Sequence, residues 1–195
     1  MHHTKNHMFE DYKNKSSVKI VYTGEGKGKT SAGLGLVVRA LGSGFRVAFI
    51  QFIKNWEVGE HQFLKDISDV YRLQLTFQEG GKGFYNAGSM SAPGITKQQH
   101  KQAAQITYTF ALQAASSGDY QLVVCDEINN SVHEGLLTTA QLKKLIDSTD
   151  KQTSLCMTGR DFPEKLLPYV DIVTNMTKVK HHFDDKFLAN KGIDY

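Results

Sequence analysis

A glycine-rich run joins an apolar segment to a helical segment near the start of this 195-residue chain. It spans residues 23–31 and reads Thr-Gly-Glu-Gly-Lys-Gly-Lys-Thr-Ser. Residues 18–23 have the apolar character of a buried strand, and small and apolar residues recur at helical spacing over residues 30–41. The sequence therefore predicts a strand, a glycine loop and a helix in direct succession, which is the first unit of an α/β fold.

The loop has the chemistry of a phosphate-binding site. Its glycines let backbone N–H groups turn toward one centre, and the helix that follows adds the positive end of its dipole. Lys29 can reach the outer phosphates of a triphosphate, and Thr30 offers a hydroxyl to Mg²⁺. The usual spelling has a glycine five positions before Gly28, where this chain has Thr23. The alternative is a glycine turn that only packs tightly and leaves Lys27 and Lys29 solvated.

Strand-like and helical segments alternate along most of the remaining chain. Such alternation predicts a mostly parallel sheet with helices on both faces. A glycine-rich stretch at 78–95 is too long for a tight turn and is predicted to be a functional loop. The other predicted elements are strand 46–53, helix 57–67, strand 70–77, helix 96–116, strand 120–125, helices 131–137 and 139–148, strand 153–157, helix 163–169, and strands 171–174 and 179–183.

Two acids follow the apolar strand predicted at 120–125. Asp126 and Glu127 stand at its end, where a carboxylate can hold Mg²⁺ directly or through water. Two acids at a strand end also occur by chance. Beside a phosphate loop about a hundred residues upstream, they are the expected second half of a magnesium–nucleotide site.

Composition narrows the class of protein. A net charge of +3 without a clustered basic stripe argues against a nucleic-acid partner, so polyanion binding is the less favoured function. No apolar segment is long enough to span a bilayer or to act as a signal peptide, so no membrane association is expected. Cys125 and Cys156 each fall inside an apolar strand, which favours a reducing cytoplasm over a disulfide framework.

Motifs spread from residue 18 to residue 195 resemble those of the ATP:cob(I)alamin (corrinoid) adenosyltransferases. The family's phosphate loop has the same shortened spelling, although members often carry Asn where this chain has Glu25. The further matches are Arg39-Ala40-Leu41-Gly42, Gln51-Phe52-Ile53-Lys54, Gly83-Phe84, Asp126-Glu127-Ile128, Thr158-Gly159-Arg160 and Gly192-Ile193-Asp194-Tyr195. The resemblance implies a P-loop NTPase-like (RecA-like) domain over 18–195.

The same resemblance implies a reaction and assigns roles. Cob(I)alamin would attack the 5′ carbon of ATP, so that the whole triphosphate leaves and adenosylcobalamin forms. Lys29, Thr30 and Glu127 are the expected catalytic residues, and Thr30, Asp126 and Glu127 are the expected Mg²⁺ ligands. The residues expected to bind ATP are Gly24, Glu25, Gly26, Lys27, Gly28, Lys29, Thr30, Ser31 and Arg39.

Reduction of cob(II)alamin must precede the transfer, and in this family apolar side chains cover the lower face of the cobalt. The resemblance implies corrinoid contacts from Phe84, Tyr85 and Lys54. Some members carry a tryptophan two residues after the phenylalanine, where this chain has Asn86. Alternatively, Phe84 and Tyr85 only anchor the glycine loop to the core. An external electron donor, such as a reduced flavoprotein, is also implied.

Two other functions fit the same loop. A P-loop kinase or ATPase would release ADP, and a nucleotide-dependent regulator would use the loop as a switch that contacts a partner. Related adenosyltransferases are typically homodimers. In them, a flexible N-terminal segment, here residues 1–17, can cover the partner subunit's site.

Overall fold

A computed structural model describes residues 11–54, 58–83 and 94–194. Six parallel strands form one sheet in the order β3-β2-β4-β5-β1-β6. The strands are β1 (Lys19–Thr23), β2 (Val47–Gln51), β3 (Leu75–Glu79), β4 (Leu122–Asp126), β5 (Ser154–Thr158) and β6 (Ile172–Asn175). The helices are α1 (Lys29–Gly42), α2 (Gly59–Ser68), α3 (Lys97–Ser116), α4 (Ile128–His133) and α5 (Thr139–Ser148).

Alternating side chains divide the core between the two faces of the sheet. Val124 and Cys156 point to the face where α1 and α2 pack, while Val123 and Cys125 point to the face where α3 and α5 pack. The central strands β2 and β4 are therefore buried on both sides, as strands inside a parallel sheet covered by helices are, whereas the edge strand β6 is exposed. The predicted fold class is confirmed.

The two cysteines lie on neighbouring central strands. Cys125 on β4 and Cys156 on β5 are both buried and both free. Val124 pairs with Cys156 and Cys125 pairs with Met157, so the two thiols face opposite sides of the sheet. The prediction that each cysteine lies in a buried strand is confirmed.

Two long elements have clear sequence reasons for where they begin. Thr96 caps α3 through a reciprocal pair of hydrogen bonds with Gln99, and Thr138 caps α5 in the same way with Gln141. Such capping boxes satisfy backbone N–H groups that the first helical turn leaves unpaired. None of the helices within the described ranges is long and apolar enough to cross a membrane.

Three predicted elements are present with different bounds or with a different type of helix. The strand predicted at 70–77 begins only at Leu75, because the residues before it form turns with Val70 and Leu73 exposed. The helix predicted at 131–137 is α4, which begins at Ile128 and ends before Gly135, whose φ is +67°. The segment Glu164–Tyr169 is a 3₁₀ helix rather than an α-helix and contains Pro168, which lacks a backbone N–H.

The strand predicted at 179–183 is wrong. No strand is present there, and His182–Asp185 forms a 3₁₀ helix. Val179 and Phe183 are exposed, so their apolar side chains imitate a strand pattern without a sheet to bury them. The predicted lower-face residues Phe84 and Tyr85, and the first ten residues of the predicted N-terminal segment, lie outside the described residues.

Candidate active site

The sheet order brings the predicted site residues together. The glycine loop follows β1, Asp126 ends β4, and β5 lies between these two strands. In a parallel sheet all strands end at the same edge, so the loop, Asp126 and the end of β5 at Thr158 share one rim. The predicted partnership between loop and acids therefore follows from strand order.

The phosphate loop bends sharply between β1 and α1. Gly24 and Gly28 have φ values of +98° and +103°, which side chains with a Cβ rarely adopt. Gly28 is also the residue that caps α1. Lys29 Nζ donates to the carbonyl oxygens of Gly24 at 2.7 Å and Gly26 at 2.6 Å, so the lysine lies across the loop it follows.

Thr30 connects this loop to the acid at the end of β4. Its Oγ1 donates to Asp126 Oδ2 at 3.2 Å. Thr158 Oγ1 donates to Asp126 Oδ1 at 2.5 Å, and the Glu127 backbone N–H donates back to the Thr158 hydroxyl at 2.9 Å. Asp126 is buried, and each of its carboxylate oxygens accepts a hydrogen bond from a hydroxyl.

Gln51 adds a further contact from β2. It is in register with Asp126 across the β2–β4 ladder. With its carboxamide nitrogen facing that acid, Gln51 donates to Asp126 Oδ2 at 2.9 Å and to Asp126 O at 3.2 Å. Thr158 and Gln51 both belong to sequence runs that carry the family resemblance. The sequence analysis nevertheless did not predict either residue to be part of the site.

Glu127 stands in an unusual backbone conformation. Its φ of 61° is left-handed, which few residues other than glycine adopt, and it directly precedes α4. Its Oε2 is buried and has no hydrogen-bond partner among the described residues. Such strain and such an unpaired oxygen cluster at functional sites.

Lys54 and Glu60 extend the site toward α2. Lys54 Nζ lies 3.0 Å from Glu60 Oε1 and 4.0 Å from Glu127 Oε1, and its side chain is 14% exposed. Lys54 therefore neutralises part of the charge of two carboxylates. The sequence carried no separate signal for Glu60, because a lone acid in a helix is usually solvated.

Burial sets the protonation behaviour of the cluster. It raises the pKa of Asp126, and burial together with the neighbouring Asp126 charge raises the pKa of Glu127 to about 7. Burial lowers the pKa of Lys29, and the nearby Arg160 guanidinium lowers it further. Burial alone would lower the pKa of Lys54. The negative charges of Glu127, Asp126 and Glu60 outweigh burial and raise that pKa. The neighbouring carboxylates of Asp126 and Glu127 repel each other, which favours a cation bound between them.

An open cleft of about 780 Å³ contains the loop residues. Charged and polar side chains share this cleft with three apolar ones, from Leu34, Phe63 and Ile193. It is lined by Lys27, Gly28, Lys29, Thr30, Ser31, Leu34, Lys54, Gly59, Glu60, Phe63, Gly192, Ile193 and Asp194. A polyphosphate chain joined to a ring with apolar faces matches this mixed lining.

Four of the predicted ATP-binding residues do not line this cleft: Gly24, Glu25, Gly26 and Arg39. Glu25 is exposed on the loop. Arg39 lies in the last turn of α1, about 15 Å along the helix from Lys29 at 1.5 Å per residue. Arg39 lines a separate depression beside Leu122 and Ser154, at the opposite edge of the sheet. The structure does not bring Arg39 to the phosphate loop.

Fold and site together define a P-loop nucleotide-binding protein. A solved KaiC-like protein from Pyrococcus horikoshii has a similar fold, with a TM-score of 0.51 over 83% of this chain and 73% of that chain. At 12% sequence identity, this likeness concerns the fold alone.

The particular family is shown by sequence comparison. The family model described as ATP:corrinoid adenosyltransferase BtuR/CobO/CobP matches residues 15–195. A corrinoid adenosyltransferase from Pseudomonas aeruginosa is 31% identical over 91% of this chain and 83% of its own length. One from Escherichia coli is 29% identical over 90% and 84%. The chain belongs to the ATP:corrinoid adenosyltransferase family, as its motifs predicted, and is a transferase of this type.

Proposed function

We propose that this chain transfers the 5′-deoxyadenosyl group of ATP to the cobalt of cob(I)alamin or a related corrinoid and releases triphosphate. One observation carries the proposal: Lys29, Thr30 and Asp126 meet at one rim of the sheet in a chain that the family model matches over 15–195. Membership of the family supports a corrinoid as the acceptor, and the geometry of the rim supports binding of the triphosphate of ATP there.

The reaction needs no nucleophile from the protein. The electron pair of cobalt(I) forms the cobalt–carbon bond, the C5′–O bond breaks, and its electron pair leaves on the triphosphate. Lys29 and the N–H groups of the loop stabilise the charge of that leaving group. The protein's further task is to align cobalt with the 5′ carbon and to exclude water.

The residues at the rim fit a magnesium ion. The Thr30 hydroxyl and the Asp126 carboxylate are hard oxygen ligands, and Glu127 Oε2 is a buried oxygen without a hydrogen-bond partner among the described residues. These are the residues that would hold Mg²⁺, with Thr158 and Gln51 orienting Asp126. When bound, Mg²⁺ supplies positive charge to the triphosphate.

The corrinoid contacts stay a proposal based on the family resemblance. Phe84 and Tyr85 lie in the segment outside the described residues, so their assignment to the lower face rests on sequence. Lys54 lies in the cleft beside Glu60 and Glu127. A corrin side chain that entered the same cleft as ATP would reach Lys54.

Three further elements belong to the proposal. An external donor, such as a reduced flavoprotein, would supply the electron that converts cob(II)alamin to cob(I)alamin. A homodimer would allow the segment at residues 1–17 to cover the partner subunit's cleft. A cytoplasmic location suits a chain with two free, buried cysteines.

The test is to incubate the protein with ATP, Mg²⁺ and chemically reduced cobalamin, and to record the visible spectrum. We expect the bands of adenosylcobalamin, which should disappear on illumination because the cobalt–carbon bond is light-sensitive. A Lys29→Ala sample with an unchanged circular-dichroism spectrum is the control for background chemistry. ATP hydrolysis without adenosylcobalamin would favour the ATPase alternative.

A further inference from the structure

The turn at residues 190–194 lies against the phosphate loop, although the two are far apart in sequence. Gly192, Ile193 and Asp194 line the cleft that also contains Lys29 and Thr30. This turn carries the Gly-Ile-Asp run that is part of the family resemblance. Adenosyl transfer by itself assigns that run no role. Its position makes it one wall of the proposed ATP site.

An ion pair holds the turn to the loop. Lys27 Nζ contacts Asp194 Oδ1, and the Asp194 side chain is 4% exposed whereas that of Lys27 is 47% exposed. The other carboxylate oxygen accepts from the Asn190 backbone N–H at 2.7 Å and lies 3.6 Å from His182 Nε2. Asp194 is therefore fixed within its own turn and offers an immobile anchor to Lys27.

A second contact ties the same part of the chain to the loop. The Gly26 N–H donates to Met176 O at 2.7 Å. A Cβ on Gly26 would lie 2.7 Å from Met176 O and 2.9 Å from the Thr177 carbonyl carbon, so no side chain fits there. The segment after β6 thus contacts the loop at Gly26 and again at Lys27.

Ile193 gives this wall an apolar surface. Its side chain is 84% exposed and lines the cleft together with Leu34 and Phe63. Three apolar side chains in one cleft offer a surface against which the ring of a ligand can pack. The adenine of ATP is joined to the phosphates through ribose, and its ring faces are apolar enough to pack against these side chains.

We infer that the 190–194 turn is part of the ATP site, with Asp194 as a positioning residue that acts through Lys27 and with Ile193 facing the nucleoside. The inference rests on the proposed function only in taking ATP as the ligand. Asp194 does not touch the phosphates, since its negative charge would be repelled. It holds Lys27 and the loop in place before ATP binds, which lowers the ordering cost of binding.

The direction in which Asp194→Asn changes ATP affinity separates a positioning role of Asp194 from a competing one. If Asp194 positions the loop, Asp194→Asn should weaken ATP binding. If Asp194 instead competes with the phosphates for Lys27, the same change should strengthen binding, because it frees a cation and removes a repelling charge. A merely structural pair would lower the melting temperature and leave ATP affinity unchanged.

The experiment is calorimetric titration of the full chain with MgATP in the absence of corrinoid. We expect Asp194→Asn to raise Kd by about fivefold. Asp184→Asn is the matched control, because Asp184 pairs with Lys178 at 2.9 Å on the same segment but outside the cleft. That control should stay within about twofold of the parent, as expected for an exposed pair. An unchanged or lowered Kd for Asp194→Asn overturns the inference.

Three further variants extend the test, and two of them, Lys27→Gln and Ile193→Ser, keep Asp194 and stay informative if Asp194→Asn folds poorly. Lys27→Gln and the double variant with Asp194→Asn should bind ATP equally, since Asp194 acts only through Lys27. Ile193→Ser should weaken binding of ATP but not of inorganic tripolyphosphate. Additive losses, or equal losses for both ligands with Ile193→Ser, contradict the assignment. Because no reaction is measured, a failure of the proposed adenosyl transfer is seen separately, in the spectroscopic assay.

Discussion

Thr30 Oγ1 donates to Asp126 Oδ2 over 3.2 Å and so connects the first turn of α1 with the carboxyl end of β4. These residues are 96 positions apart in the sequence. Their meeting depends on β5, which lies between β1 and β4 and supplies Thr158 to the other oxygen of the same carboxylate. Two potential magnesium ligands are thus held together by the protein itself.

We predict that Thr30→Ala increases the Mg²⁺ concentration needed for half-maximal turnover by about tenfold or more, because it removes one ligand and one bond to Asp126. Ser31→Ala is the matched control, since this neighbouring hydroxyl lines the same cleft. Magnesium titrations of adenosylcobalamin formation measure both. Equal magnesium curves for Thr30→Ala and the parent protein would remove Thr30 from the metal site.

Lys29→Ala should reduce kcat/KM by about 100-fold or more, corresponding to about 3 kcal/mol of lost stabilisation of the leaving triphosphate. Folding should survive, because burial already disfavours the lysine's charge and lowers its pKa. Lys144→Ala, an exposed lysine on α5, is the control. Steady-state kinetics give the comparison, and a rate close to that of the parent would rule out the phosphate loop as the catalytic site.

Gly26→Ala should destabilise the protein by about 1–3 kcal/mol, because the added methyl group meets Met176 O at 2.7 Å. Gly35→Ala is the matched control. Gly35 lies in α1 with nothing within 4 Å of an added Cβ, so alanine there should stabilise by about 0.5–1 kcal/mol. Urea unfolding measures both. Similar free energies of unfolding for the two variants would mean that the 176–177 segment does not press on the loop.

Phe84→Ala should impair the reaction selectively when it begins from cob(II)alamin. If Phe84 covers the lower face of the cobalt, its loss admits a lower ligand and makes reduction harder, while transfer from ready-made cob(I)alamin is largely retained. Tyr85→Ala is the control, and the same signature there would move the role to Tyr85. Adenosylcobalamin formation is assayed from cob(II)alamin and, in parallel, from cob(I)alamin. Equal losses of activity in the two assays would assign Phe84 to general binding or loop support.

The sequence predicted most of the fold because strand and helix signals were local. Apolar runs marked the central strands, and the glycine loop marked the boundary between β1 and α1. Predictions failed where apolar residues had no sheet to pair with: Val179 and Phe183 suggested a strand but are exposed. Strand pairing is a long-range property, and periodicity does not report it.

The site was predictable where a motif carries its own chemistry. Lys29, Thr30 and Asp126 were found by residue type and position. Glu60 was not, because it enters the site only through packing of α2 beside β3 and through its bond to Lys54. Conversely, Arg39 belongs to a family motif, yet its place in the last turn of α1 takes it away from the loop.

The phosphate product measures the proposed reaction most directly. The protein should be incubated with ATP, Mg²⁺ and cob(I)alamin, and the phosphorus species should be followed by ³¹P NMR while adenosylcobalamin is quantified by its spectrum. Attack at the 5′ carbon predicts triphosphate in equimolar amount with adenosylcobalamin, and no ADP. ADP and phosphate formed without adenosylcobalamin would contradict adenosyl transfer and identify the chain as a phosphoryl-transfer enzyme.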